Sequence, residues 1–116
     1  MSAPDLERVL ASVEDARERT ARQIASLEDI VAAIVEGSEL TSTDDEHDPE
    51  GATIAYERAQ ATALLRQARA DADVLVRTLS QLEQHGRVAC AVCGRSIGFE
   101  RVAALPTATR CIRCAG

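Results

Sequence analysis

The sequence predicts a mainly α protein: a long antiparallel helical hairpin of coiled-coil type, followed by a small four-cysteine module. Three observations predict it. Apolar residues recur on a seven-residue spacing in two long stretches. A polar, acidic, turn-rich segment separates those stretches. All four cysteines fall near the end of the chain, as two C-x-x-C pairs.

Composition sets the frame for these elements. A chain of 116 residues holds one domain, or a small domain plus an extended element. The hydrophobic share is 46%, yet the only aromatics are Tyr56 and Phe99, which suits long helices better than a thick globular core. Lysine is absent, so all 13 basic residues are arginine, and the net charge is −6. That balance argues against simple wrapping on nucleic-acid phosphates. The longest apolar run, residues 30–35, is far too short to span a bilayer. The first residues lack a basic patch followed by an apolar core, so no export signal is expected and a cytoplasmic location is the expectation. In a reducing compartment C-x-x-C pairs bind metal more readily than they form disulfides.

The first helix starts near Ser2 and Pro4, with Asp5 and Glu7 at the positive end of its dipole. Its stripe runs through Leu6, Val9/Leu10, Val13, Ala16, Ile24, Leu27, Ile30/Val31 and Ile34, and Gly37 is expected to stop it. Residues 38–50 form the expected acidic tip of the hairpin. Within it, Asp48-Pro49-Glu50 reads as a helix start, with Asp48 as N-cap and Pro49 at the first helical position. The second helix carries Ala61, Leu65, Ala68, Ala72, Leu75, Leu79 and Leu82, which alternate by four and three and form a seam for a partner helix. His85-Gly86 closes it. Residues 1–86 are thus expected to be the hairpin, and 87–116 the C-terminal module.

In that module Cys90-Ala-Val-Cys93, with Gly94 directly after it, is followed by Cys111-Ile-Arg-Cys114, with 17 residues between Cys93 and Cys111. A tight turn at each pair points two thiolates at one ion, and two pairs so spaced supply a closed tetrahedral zinc site. Gly94 suits the left-handed backbone expected just past the second Cys of such a turn. With all four positions filled by sulfur, the zinc would be structural, one ion per chain, and the module a zinc finger. Ile97, Phe99, Val102, Leu105 and Ile112 are expected to form a small apolar cluster under the metal, and Pro106 to end a short helix begun near Phe99.

Charge is segregated along the chain. No basic residue lies between Arg22 and Arg58, an interval whose acids are densest at Asp44, Asp45, Glu46 and Asp48, with Glu50 beside them. Arg87, Arg95, Arg101, Arg110 and Arg113 lie in the module against the single acid Glu100. A solvated loop accounts for the acidic segment. So does a probe for a cationic channel or a site holding divalent metal, which carboxylates suit. The arginines are expected at least in part to balance a four-thiolate zinc centre of net charge near −2.

Cys90-x-x-Cys93-Gly94-x-x-Ile97-Gly98, then Arg101, Pro106-Thr107-Ala108 and Cys111-x-x-Cys114 resemble the DksA/TraR group of four-Cys zinc-finger proteins. The preceding hairpin resembles the rest of that family's layout. The resemblance implies a non-enzymatic transcription regulator that binds RNA polymerase without sequence-specific DNA binding and inserts its hairpin tip into the enzyme's secondary channel, near the catalytic magnesium; a monomer is expected. Some members act with ppGpp, so that alarmone enters as a second expected partner. The four cysteines carry over as zinc ligands. At the tip, Asp45-x-x-Asp48 is followed by Glu50, where the best-known branch carries a small residue; the alternative register, on Asp48-Pro49, puts Gly51 and Thr53 at the other two places, and either departs from that branch's pattern. A factor that stimulates transcript cleavage in the same channel, and a zinc-thiolate redox switch or protein-interaction adaptor, are the alternative readings.

Overall fold

The computed structural model describes residues 3–40 and 49–115, and the side chains of 3–37 and 51–115. Two long helices, α1 (Ala3–Leu40) and α2 (Pro49–His85), precede a short antiparallel ribbon, β1 (Val88–Ala89) and β2 (Ser96–Ile97). Two short helices follow, α3 (Phe99–Ala104) and α4 (Ile112–Ala115). The predicted tip residues Asp44, Asp45, Glu46 and Asp48 lie outside the described residues. Glu50 falls in the first turn of α2, its side chain outside them.

The chain packs as two compact units, Met1–Thr20 with Ala70–Gly116, and Ala21–Arg69. In the second unit, Leu27 of α1 is buried with Leu65 and Ala68 of α2, flanked by Ile24 and Val31. Arg69 pairs with Glu28 across the two helices at 3.6 Å. This ion pair is half exposed, so it contributes little beyond fixing register, well under about 1 kcal/mol. In the first unit Val9, Val13 and Ala16 of α1 meet Leu75 and Leu82 of α2. In the first unit an early part of α1 meets a late part of α2, and in the second a later part of α1 meets an earlier part of α2, as an antiparallel hairpin requires. Of the predicted seam, Ala61, Leu65, Ala68, Leu75 and Leu82 are nearly inaccessible and Ala72 and Leu79 half-buried, while Thr78, outside the predicted seam, is buried as well. Periodic burial of this kind, rather than intrinsic propensity, holds long helices in water.

Two expectations are corrected. Gly37 does not stop α1, which continues to Leu40. A helical glycine costs only about 1 kcal/mol relative to alanine, and Gly37 does not take the positive φ of a terminating glycine. Gly86 does: its φ of 68° ends α2, and its N–H donates to the Leu82 carbonyl at 2.9 Å. The second correction concerns the cluster under the metal. Ile97 and Val102 are buried and Phe99 packs beside them, but Leu105 is 48% and Ile112 78% exposed. The long helices supply the missing apolar mass. Val9, Val13, Leu75 and Leu82 share one continuous core with Val88, Ile97, Val102, Cys90 and Cys111, so the module has no need to bury Leu105 or Ile112.

Candidate metal centre

The first cysteine pair sits on the turn between β1 and β2. The Cys90 N–H donates to the Arg95 carbonyl at 2.7 Å and the Gly94 N–H to the Cys90 carbonyl at 3.0 Å, which closes the turn. Gly94 has φ 75°, the left-handed conformation expected from the sequence. The second pair begins at Cys111 and runs into α4. There the Cys114 and Ala115 N–H groups both return to the Cys111 carbonyl, at 3.0 and 2.9 Å. Ala91 N–H donates to the Thr109 carbonyl at 2.8 Å and so sews one turn to the other.

These bonds bring all four sulfurs within 4.8 Å of one another. Cys93 Sγ and Cys111 Sγ stand 3.7 Å apart, which matches the edge of about 3.8 Å in a tetrahedron of zinc–sulfur bonds near 2.3 Å. Four thiolates at that spacing fit one Zn²⁺ and leave no open position for a substrate or water, so the four cysteines are positioned to bind a single structural zinc ion. Cys90 and Cys111 are buried, Cys114 is half-buried and Cys93 faces solvent.

The backbone prepares the sulfurs for a cation. N–H groups of Cys93, Cys111 and Val92 point at Cys90 and lower its pKa to about 6, against the opposing effect of burial. The Cys111 N–H lies 3.3 Å from Cys90 Sγ and the Val92 N–H 3.4 Å from it. Cys111 is lowered too, chiefly by the Cys114 backbone N–H. Cys114 moves the other way, pushed up to about 12, first by its interaction with the Cys111 sulfur and then by burial. Negative sulfurs packed together without a cation hold a proton between them, and a divalent ion takes that proton's place.

Residues other than the four cysteines hold the centre in place; the sequence reading named Arg101 among them but did not single out Ser12 or Gln81. Ser12 Oγ donates to the Ala103 carbonyl of α3 at 2.7 Å. Gln81 Oε1 accepts the Ala89 N–H of β1 at 2.9 Å. Arg101 Nε donates to the Arg110 carbonyl at 2.9 Å, just before the second cysteine pair. Spacing offered one faint signal. Ser12 and Gln81 each stand next to a buried seam residue, Val13 and Leu82, where a polar side chain can reach across a helix edge.

Residues 85–116 match the family model of the prokaryotic dksA/traR C4-type zinc finger. This chain carries the DksA/TraR zinc finger. Its four ligands, both knuckles and the left-handed Gly94 all lie inside the matched segment. Beyond the DksA/TraR finger, the fold is similar to that of transcription factor DksA2 from Pseudomonas aeruginosa. The TM-score is 0.54 at 23% identity, covering 90% of this chain and 81% of that one. Among curated protein sequences none matches.

Proposed function

We propose that this protein is a non-enzymatic transcription regulator that binds RNA polymerase. In this reading residues 1–86 form an arm whose acidic segment enters the secondary channel, and residues 87–116 form a zinc-stabilised anchor. The observation that carries the proposal is the DksA/TraR finger on residues 85–116, joined to two long paired helices in a fold shared with a transcription factor. Asp44, Asp45, Glu46, Asp48 and Glu50 are the proposed polymerase-contacting residues. Carboxylates held near a magnesium site would shift the balance among promoter complexes electrostatically, an effect that weakens with added salt. The four cysteines act structurally, and ppGpp is a proposed co-effector. A cytoplasmic monomer is the form this role requires. No helix among the described residues is long and apolar enough to cross a membrane.

The test is binding to core RNA polymerase of the encoding organism, with initiation assayed alongside. The wild-type chain should bind and change open-complex lifetime. Asp45→Asn with Asp48→Asn should keep zinc and fold yet lose the effect on initiation. A wild-type chain that fails to bind polymerase would refute the reading. Shortened transcripts in stalled elongation complexes would instead establish the cleavage-factor alternative.

A further inference from the structure

The two side chains that left the core, Leu105 and Ile112, line a groove on the outer face of the finger. Its volume is about 660 Å³, and Arg95, Gly98, Arg101 and Arg113 complete its wall. That size admits one or two side chains of a partner rather than water alone. Gly98 leaves the wall open, since nothing lies within 4 Å of where a side chain there would begin. Aliphatic side chains as exposed as Leu105 (48%) and Ile112 (78%), set side by side among cations, are the composition of a binding patch rather than of scattered surface residues.

The charge identifies the occupant. Glu100 is the single acid among the residues that line the groove. Arg95, Arg101 and Arg113 face the one carboxylate of Glu100 on the groove wall, an excess of two positive charges there. The net −2 of a four-thiolate zinc centre is spread over sulfurs of which only the buried Cys111 borders the groove. Arg101 is held in place through Nε and the Arg110 carbonyl, so its guanidinium is pre-positioned rather than a free-swinging surface charge. A nucleic acid would satisfy the cations but would leave the two aliphatic side chains without an apolar partner. Phe99, the aromatic of the module, has its ring covered by the Arg8 guanidinium at 5.3 Å and offers no open stacking face. We infer that this groove docks an acidic segment of another protein, one that inserts an aliphatic side chain between Leu105 and Ile112 and sets carboxylates against Arg95, Arg101 and Arg113. The inference goes beyond the polymerase reading and does not require it.

Fluorescence anisotropy of the zinc-loaded full chain tests it, with a fluorescein-labelled peptide of mixed Glu and Leu as probe. Controls are the same peptide with Gln for Glu, and a labelled single-stranded oligonucleotide. The Glu/Leu peptide should bind, bind more weakly in high salt, and lose roughly tenfold or more in affinity with either Ile112→Glu or Leu105→Glu. Leu105→Glu lies well away from the zinc ligands in sequence, and zinc content is measured for both variants, so a folding failure is separable from lost docking. No binding of the Glu/Leu peptide would overturn the inference. So would equal binding of the Gln peptide, stronger binding of the oligonucleotide, or unchanged binding by a variant that retains zinc. A concentration-dependent dimer abolished by the same variants would assign the groove to a second copy of the chain and overturn it as well.

Discussion

Gly94 has a φ of 75°, and a β-carbon built on it would meet nothing within 4 Å. Any penalty at this position therefore comes from the backbone rather than from crowding. Gly94→Ala should destabilise the zinc-loaded protein by about 1–2 kcal/mol and weaken zinc binding in competition with a chromophoric chelator. Unchanged affinity would mean that the turn relaxes freely. The sulfurs give a pH prediction whose sign can be worked out. Cys90, lowered to about 6, is poised to be a thiolate near neutral pH, and Cys111 is lowered as well. Cys114, raised to about 12, must give up a proton for the ion to bind. Binding thus releases at least one proton, so zinc affinity should fall by roughly tenfold per unit as pH drops below about 12, and more steeply below about 6, where Cys90 also takes up a proton. Titration of zinc against a chelator at several pH values checks it, and a flat profile would contradict the proton-sharing arrangement. At this scale the sequence was informative about the ligands and about Gly94, because C-x-x-C spacing and a following glycine are local constraints. It was silent about Ser12 and Gln81, whose partners Ala103 and Ala89 are fixed only once the helices and the finger have packed.

The helices were legible because seven-residue periodicity is a direct record of which face is buried. Leu65, Ala68, Leu75 and Leu82 sit on that face in the structure as they do in the pattern. The boundary at Gly37 was not legible, since glycine is both a common terminator and a tolerable interior residue. Which role it takes depends on whether the backbone turns left-handed there. Gly37 is exposed in α1 with open space about it, so Gly37→Ala should raise stability by about 0.5–1 kcal/mol, read as a higher thermal midpoint by circular dichroism. A loss of stability would show that the chain needs a glycine conformation at this point. The placement of Leu105 and Ile112 was equally beyond a sequence reading. A short apolar cluster looks self-sufficient until Val9, Val13, Leu75 and Leu82 are seen to fill the space beneath the finger.

Among the described residues, the buried apolar side chains form two clusters, each inside one compact unit, with Ala61 and Ala108 outside both. The cluster of the first unit includes two of the four zinc ligands, Cys90 and Cys111. Stripping zinc should therefore unsettle the helix segments that pack on it. Hydrogen exchange after chelation should accelerate at residues 9–16 and 75–82 as well as in the finger, and less at 24–31 and 61–68. Uniform acceleration, or acceleration confined to residues 87–116, would contradict the shared core.

The Ser12 hydroxyl on Ala103 and the Gln81 amide on Ala89 bear on protein engineering. A grafter who cuts at the last strand-free residue and moves only the contiguous finger leaves behind both tethers and half of the apolar floor. The portable cassette is discontinuous: the opening twenty residues together with everything from Ala70 onward. A chimera built by swapping arms should accordingly be spliced inside the two long helices, near Thr20 and Ala70, where each side of the cut keeps its own interior.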